Sequence, residues 1–302
     1  EEVLTTFNGG FLCHFNPELV VRVAWATWKD ETEEDDRHSL DIPKYFGLHE
    51  PHTKTNFNNA SAFKGPFWVL LKVNAKLAID FIIDLTNYAA QKYSQSSLSE
   101  DEDFEIELTF DDGTKVKQIC SSRLWNAYVS TSVTPGMVNC ALMALEKWLI
   151  EKAERGESIE ADVDYILRNS KSVFTTSMIA GIANGHWNRM GKGILPVLRC
   201  KELFSLDIAR MVSYQGSGAL DFFGMEFYDP TADIHKKERE QARSYKWRKS
   251  HLEDVVRHLL FSEIQEDVHK ILDAYYAKLP AESQQNDGDR IWRIALGRMD
   301  MR

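Results

Sequence analysis

Turn-forming residues are scarce in this chain. Sixteen glycines and 8 prolines among 302 residues come to about 8% where about 12% is usual, so obligatory turns are few and long elements are favoured over many short strands. Cysteine is rarer still. Cys13, Cys120, Cys140 and Cys200 lie far apart with no CxxC spacing, which excludes an encoded disulfide framework or zinc knuckle and suits a reducing cytoplasm. No run reaches the ~20 apolar residues of a membrane span, and the uncharged stretch Ser172 to Asn188 is rich in Ser, Thr, Gly and Asn. Positive charge is in deficit, with 36 Lys and Arg against 46 Asp and Glu for a net charge of −10. That argues against a nucleic-acid surface over the whole molecule and leaves room only for a local basic patch. A chain of this length can bury roughly 75% of its unfolded surface, so its core needs neither a disulfide nor a metal staple. It opens on Glu1-Glu2-Val3-Leu4 with no initiator Met or signal pattern and stops at Arg302 just after an amphipathic segment. A fragment of something longer is therefore expected.

Helical periodicity is present along most of the chain. Asn16-Pro17, a polar cap followed by proline at the first helical position, opens a helix through Val20, Val23, Ala24, Thr27 and Trp28. Val21 and Trp25 make that helix apolar on nearly every side, which predicts full burial. A short helix near Phe67 to Lys72 leads to a longer one from Asn74 to about Tyr93, where Leu77, Ala78, Phe81, Ile82, Leu85, Tyr88 and Ala89 form one stripe. Phe104 to Phe110 and Lys115 to Cys120 alternate around Asp111-Asp112-Gly113-Thr114, which reads as a hairpin that must lean on a helical layer. Further helices are predicted from Met137 to a stop at Gly156, at about Ala161 to Arg168, Val173 to Ala183, Ile194 to Leu203 and Asp207 to Ser213. A long helix from Leu252 to Pro280 and a terminal one from Asp289 complete the set. The fold class expected is all-α, stacked helical pairs in a solenoid-like array with one small β-hairpin near residues 104–120. Its segments are N-terminal helical pairs (1–93), an acidic linker with the hairpin (94–122), a central helical array (123–228), and a charged segment with C-terminal helices (229–302).

Motifs that would carry chemistry fail on spacing. Gly185 to Gly191-Lys192-Gly193 looks like a phosphate loop, but five residues separate the glycines where four are required, and Gly193 stands where Ser or Thr should hold magnesium. It reads as an interhelical turn. Glu266-Asp267-Val268-His269 is a single Glu-x-x-His, which carboxylate di-metal bundles need twice. His251 and His258 lie two turns apart, too far for zinc pairing on adjacent turns, and His49-Glu50-Pro51-His52 sits in a proline-broken loop. Gly216-Ser217-Gly218 lacks nucleophile-elbow spacing. The acidic run Asp30 to Asp36 lacks the spaced ligands and bend glycine of a calcium loop and reads as solvated. No catalytic, cofactor-binding or metal-ligating residue is assigned.

One segment is ambiguous. Lys236, Lys237, Arg239, Arg243, Lys246, Arg248 and Lys249, with Tyr245 and Trp247 among them, could neutralise phosphates while the aromatics stack on bases. Alternatively they form a charged helix supported by pairs one turn apart. Lys236, Lys237, Arg239, Arg243, Lys246, Trp247, Arg248 and Lys249 are therefore the candidate contact residues, for a polyanion or for a protein partner.

Several strings taken together carry a family resemblance: Ala60-Ser61-Ala62-Phe63-Lys64-Gly65-Pro66-Phe67, Leu77 to Ala89, Arg123-Leu124-Trp125-Asn126-Ala127-Tyr128, Ala141 to Leu149, and Ala295 to Arg302. They resemble a helical region outside the ATPase core of large bacterial STAND or AVAST-like antiviral P-loop ATPases, over roughly residues 40–302. The strings are packing signatures rather than catalytic ones. A basic residue and Gly usually follow the Leu-Trp-x-x-Tyr string in that family, where this chain has Val129 and Ser130. The resemblance implies a non-catalytic scaffold or sensor that contacts a foreign protein or copies of itself, with any ATP hydrolysis carried out elsewhere in the larger protein. The alternatives from other classes are an enzyme whose site is assembled from residues distant in sequence and a weak nucleic-acid-binding helical module.

Overall fold

Asn16 and Asn74 begin the first two long helices by the same device, each side-chain oxygen accepting the backbone N–H three residues on, from Leu19 at 3.0 Å and from Leu77 at 3.2 Å. That satisfies an N–H which the helix itself cannot pair. The computed structural model describes residue 4 and residues 9–30, 42–50, 57, 60–99, 103–128, 134–216 and 232–302. The acidic run past Asp30, His52 of the histidine loop, Val129 and Ser130, and the Gly216-Ser217-Gly218 loop beyond its first glycine lie outside the described residues.

Among the described residues the protein is all-α with a single two-stranded antiparallel hairpin. In chain order the elements are α1 (Gly9–Phe15), α2 (Pro17–Trp28), α3 (Phe67–Val73), α4 (Ala75–Ser94), β1 (Phe104–Thr109), β2 (Lys115–Cys120) and α5 (Ser122–Trp125). These are followed by α6 (Gly136–Glu154), α7 (Glu160–Asn169), α8 (Val173–His186), α9 (Leu195–Leu198), α10 (Glu202–Gly216), α11 (Ala232–Ser244), α12 (Leu252–Leu259), α13 (Gln265–Lys278) and α14 (Asp287–Met299). Short 3₁₀ turns stand at Ile42–Phe46, Trp187–Arg189, Gly191–Ile194, Lys246–Lys249 and Glu282–Gln284.

Sequence neighbours pack in pairs, α1 on α2, α3 on α4, α7 on α8 and α13 on α14, and α4, α5, α6, α7 and α12 all reach α8. Buried residues run along α8 from Val173 to Asn184 without interruption, so this helix is the axis on which the rest is laid. One continuous hydrophobic core extends from Leu4 to Met299. Near its N-terminal end Phe57, Phe67 and Phe81 surround Trp28, with ring centroids 5.6, 5.7 and 6.1 Å away. The hairpin leans on this layer as expected. Ile119 donates its N–H to the Lys171 carbonyl at 2.9 Å, and Gln118 bonds the Ser170 carbonyl and the Thr176 hydroxyl.

Three sequence expectations are corrected. Only Val20, Ala24 and Trp28 of α2 are buried, while Leu19 and Val23 are more than a third exposed, because neighbours cover one side of the helix alone. The helix expected from Ile194 to Leu203 stops at Leu198, whose carbonyl accepts the Tyr275 hydroxyl at 2.9 Å and so leaves the backbone ladder. The long helix from Leu252 to Pro280 is two helices, α12 and α13. Ser262 breaks it by donating to the Leu259 carbonyl at 2.7 Å and accepting the Ile264 N–H at 3.3 Å, a local side-chain bonding pattern that competes with the helix.

Candidate partner-contact site

The glycine-rich turn at 191–193 shows why a phosphate has no place there. Gly191 adopts φ +49°, and the Lys192 N–H points at Glu160 Oε1, 2.8 Å away. A carboxylate thus fills the spot where a phosphate loop would cradle its anion. The Lys192 ammonium is turned to Asp267 at 2.7 Å. An open cavity of about 490 Å³ lies beside this turn, lined by Phe110, Asp111, Glu160, Asp164, Arg168 and Lys192 among others. Its charges already have partners: Arg168 pairs with Asp112 and Asp164, and Asp111 pairs with Arg199.

The basic segment folds as α11 followed by the Lys246–Lys249 turn, forming a strap over the helical core. Lys236, Lys237, Lys246 and Lys249 are exposed, Arg243 and Trp247 are half-buried, and Arg239 and Arg248 are buried. The strap's inward groups are polar. At its first end Glu238 Oε2 accepts the Ser61 hydroxyl at 2.7 Å and the Ala62 N–H at 3.0 Å, with His235 Nδ1 3.3 Å from the same hydroxyl. Burial pushes the Glu238 carboxyl above the usual range, and these two hydrogen bonds pull back against it. Ser61, His235 and Glu238 are a serine, a histidine and a carboxylate brought together across more than 170 residues. Their order is that of an anchor. The carboxylate accepts the serine hydroxyl's hydrogen bond directly, where nucleophilic activation places the imidazole between the two, and Ser61 is wholly buried.

At its other end the strap is held by Arg248. This side chain donates from Nη2 to Glu146 Oε2 at 2.6 Å and from Nε to the Ala242 carbonyl at 3.0 Å, and its guanidinium carbon lies 5.5 Å from the Tyr128 ring centre. Burial alone would lower the Arg248 pKa and is the largest single effect, but the Glu146 charge, Tyr128 and the hydrogen bond to Glu146 together outweigh it and the net shift is upward. Arg210 supports the turn from beneath, donating to the Arg248 and Ser250 carbonyls at 3.2 and 2.7 Å. Asp207 orients it by pairing with its Nε at 2.6 Å and accepting the Leu252 N–H at 2.9 Å. Trp247 stacks on Tyr245 at 4.1 Å, meets His186 edge-on at 5.1 Å, and crowds Gly185 so closely that a Cβ there would lie 2.5 Å from the indole. These two aromatics are spent on each other and on α8.

The structure therefore divides the sequence-predicted contact residues into four outward lysines and a set turned to the core. Glu146, Asp207 and Arg210 were not singled out from sequence. The signals were faint: a lone carboxylate inside the apolar stripe Leu142, Leu145, Leu149, and an Asp–Arg pair three residues apart. All four cysteines are buried, and burial holds Cys13 up at about 11 and Cys120 and Cys140 at about 12, so none is a ready thiolate. Among the described residues no group of three or more His, Cys, Asp or Glu is placed to hold a metal ion, and no helix is long and apolar enough to cross a membrane. Large apolar side chains stand strongly exposed as near neighbours on one helix at Phe11 and Phe15 of α1 (77% and 83%) and at Ile291 and Ile294 of α14 (67% and 61%), while Phe261 (75%), Val212 and Met301 are exposed singly. No family model and no curated protein matches the chain.

Proposed function

We propose that the chain is a non-catalytic scaffold or sensor region of a large bacterial defence ATPase of the STAND or AVAST-like type. It works in the cytoplasm through contacts with a foreign protein or with copies of itself. The observation that carries the contact reading is α1, where Phe11 and Phe15 project one turn apart, each residue more than three-quarters exposed. Exposed aromatics grouped in this way mark interaction surfaces. The ATPase assignment is supported by the resembling strings, of which Ala141 to Leu149 lies in α6 and Leu77 to Ala89 in α4, both packing elements.

Two measurements test the reading. Calorimetric titration of the chain with ATP is expected to give no binding heat, and tight binding that is lost in Lys192→Ala would overturn the non-catalytic assignment. Light scattering of the larger protein under activating conditions is expected to show a mass above the monomer that Phe11→Ser with Phe15→Ser reduces. A mass unaffected by that pair would remove α1 as the contact face.

A further inference from the structure

Arg248 holds its partner at one end only. A guanidinium facing a carboxylate squarely makes two parallel hydrogen bonds. Here Nη2 alone reaches Glu146, through Oε2, while Nε is turned back onto the Ala242 carbonyl of the strap itself. Glu146 Oε1 is consequently buried with no hydrogen-bond partner, and so is the hydroxyl of Tyr128, whose ring flanks the guanidinium. Both residues are more than nine-tenths buried. An unsatisfied carboxylate oxygen at such depth carries a large desolvation cost, and Glu146 Oε1 beside the Arg248 guanidinium therefore shows a site that its occupant does not fully use. The Tyr128 hydroxyl itself lies against Gly181 of α8, and Arg210 is a second cation near the tyrosine. The occupant arrives on a four-residue 3₁₀ turn flanked by extended Tyr245 and Ser250, while the walls belong to α6 and to the residues after α5.

We propose that Glu146 and Tyr128 form a guanidinium-binding box, filled by Arg248 when the strap is down, and that an arginine side chain of a partner protein takes the box when the strap lifts. Arginine fits by chemistry: its planar fork can engage both carboxylate oxygens while its face lies on the tyrosine ring, which an ammonium cannot do. The partner half of this inference rests on the protein-contact reading above. The box itself is tested on this chain alone and does not depend on that reading.

Arg248→Ala empties the box and is expected to lower the melting temperature by roughly 5–8 °C, as a buried carboxylate loses its partner. Millimolar methylguanidinium should restore most of that loss, methylammonium at the same concentration should not, and Glu146→Gln in the same background should abolish the restoration. Equal restoration by both cations, or by neither, overturns the box. The wild-type chain carries the second arm and serves alone should Arg248→Ala not fold. Hydrogen exchange across residues 233–250 is expected to quicken with a short end-blocked peptide containing arginine and to stay unchanged with its lysine counterpart. Quickening by free arginine but not by the peptide would assign the site to a small molecule and overturn the partner, and exchange unmoved by any of them would make Arg248 a permanent brace and overturn the replacement.

Discussion

Gly181 is the condition for Tyr128 to lie where it does, because a Cβ at that position would stand 2.0 Å from the tyrosine hydroxyl. Gly181→Ala is therefore expected to destabilise by about 1–3 kcal/mol through overpacking. Tyr128→Phe should recover most of this in the double variant, since the hydroxyl it removes has no partner, and additive losses in denaturant titration would contradict the contact. Glu238 gives a second prediction at this scale. Its carboxyl binds a proton more readily in the folded chain than in the unfolded one, so ionising it costs stability as pH rises from the ordinary glutamate range through its raised value. Relative to Glu238→Gln, the wild type should gain stability as pH falls from 7 and level off near the unperturbed value of about 4.3. A difference flat in pH would show that Glu238 ionises alike in both states.

The strap shows how an element reassigns residues that sequence groups together. Seven basic side chains fall within fourteen residues, yet Arg248 belongs to Glu146 and Arg239 is buried. Within the strap a polyanion contact is therefore left to the exposed Lys236, Lys237, Lys246 and Lys249 and the half-buried Arg243. Binding of a single-stranded oligonucleotide is expected to be weak and to fall with salt by ~0.7 log units per tenfold change for each phosphate neutralised. Lys246→Gln with Lys249→Gln should flatten that slope by about two such contributions, whereas Trp247→Ala should act first on stability, its ring being packed on Tyr245 and α8. A slope unchanged by the lysine pair would place the contact elsewhere. The helix starts behave more locally: Asn74→Ala should cost about 1 kcal/mol in denaturant unfolding through the lost cap at the start of α4.

For the whole molecule, the single core and the central position of α8 imply that stability is shared. Ile182, wholly buried in α8, is reached from several sides, and Ile182→Ala is expected to cost about 2–5 kcal/mol. The loss should appear as one shifted cooperative transition, seen alike by far-UV circular dichroism and tryptophan fluorescence. Two separated transitions would show that the segments flanking α8 unfold on their own.

Local patterns were readable from the residues alone. Asn16-Pro17 and Asn74 mark helix starts because a cap needs only its own next three residues, and the hairpin at 104–120 was legible because alternation and an Asp-Gly turn are short-range signals. The phosphate-loop lookalike was excluded on spacing, and the fold adds the reason that Glu160, thirty-two residues away in sequence, occupies it. The break between α12 and α13 escaped notice because apolar periodicity continues across it while one serine hydroxyl redirects the backbone. What only tertiary structure decided is which charges face water. Arg248 and Lys249 are adjacent and chemically alike, but one is sealed against Glu146, 102 residues earlier in the chain, and the other is solvated. That choice depends on the packing of α6, α11 and the turn after it, and long-range placement of this kind leaves no period in the sequence.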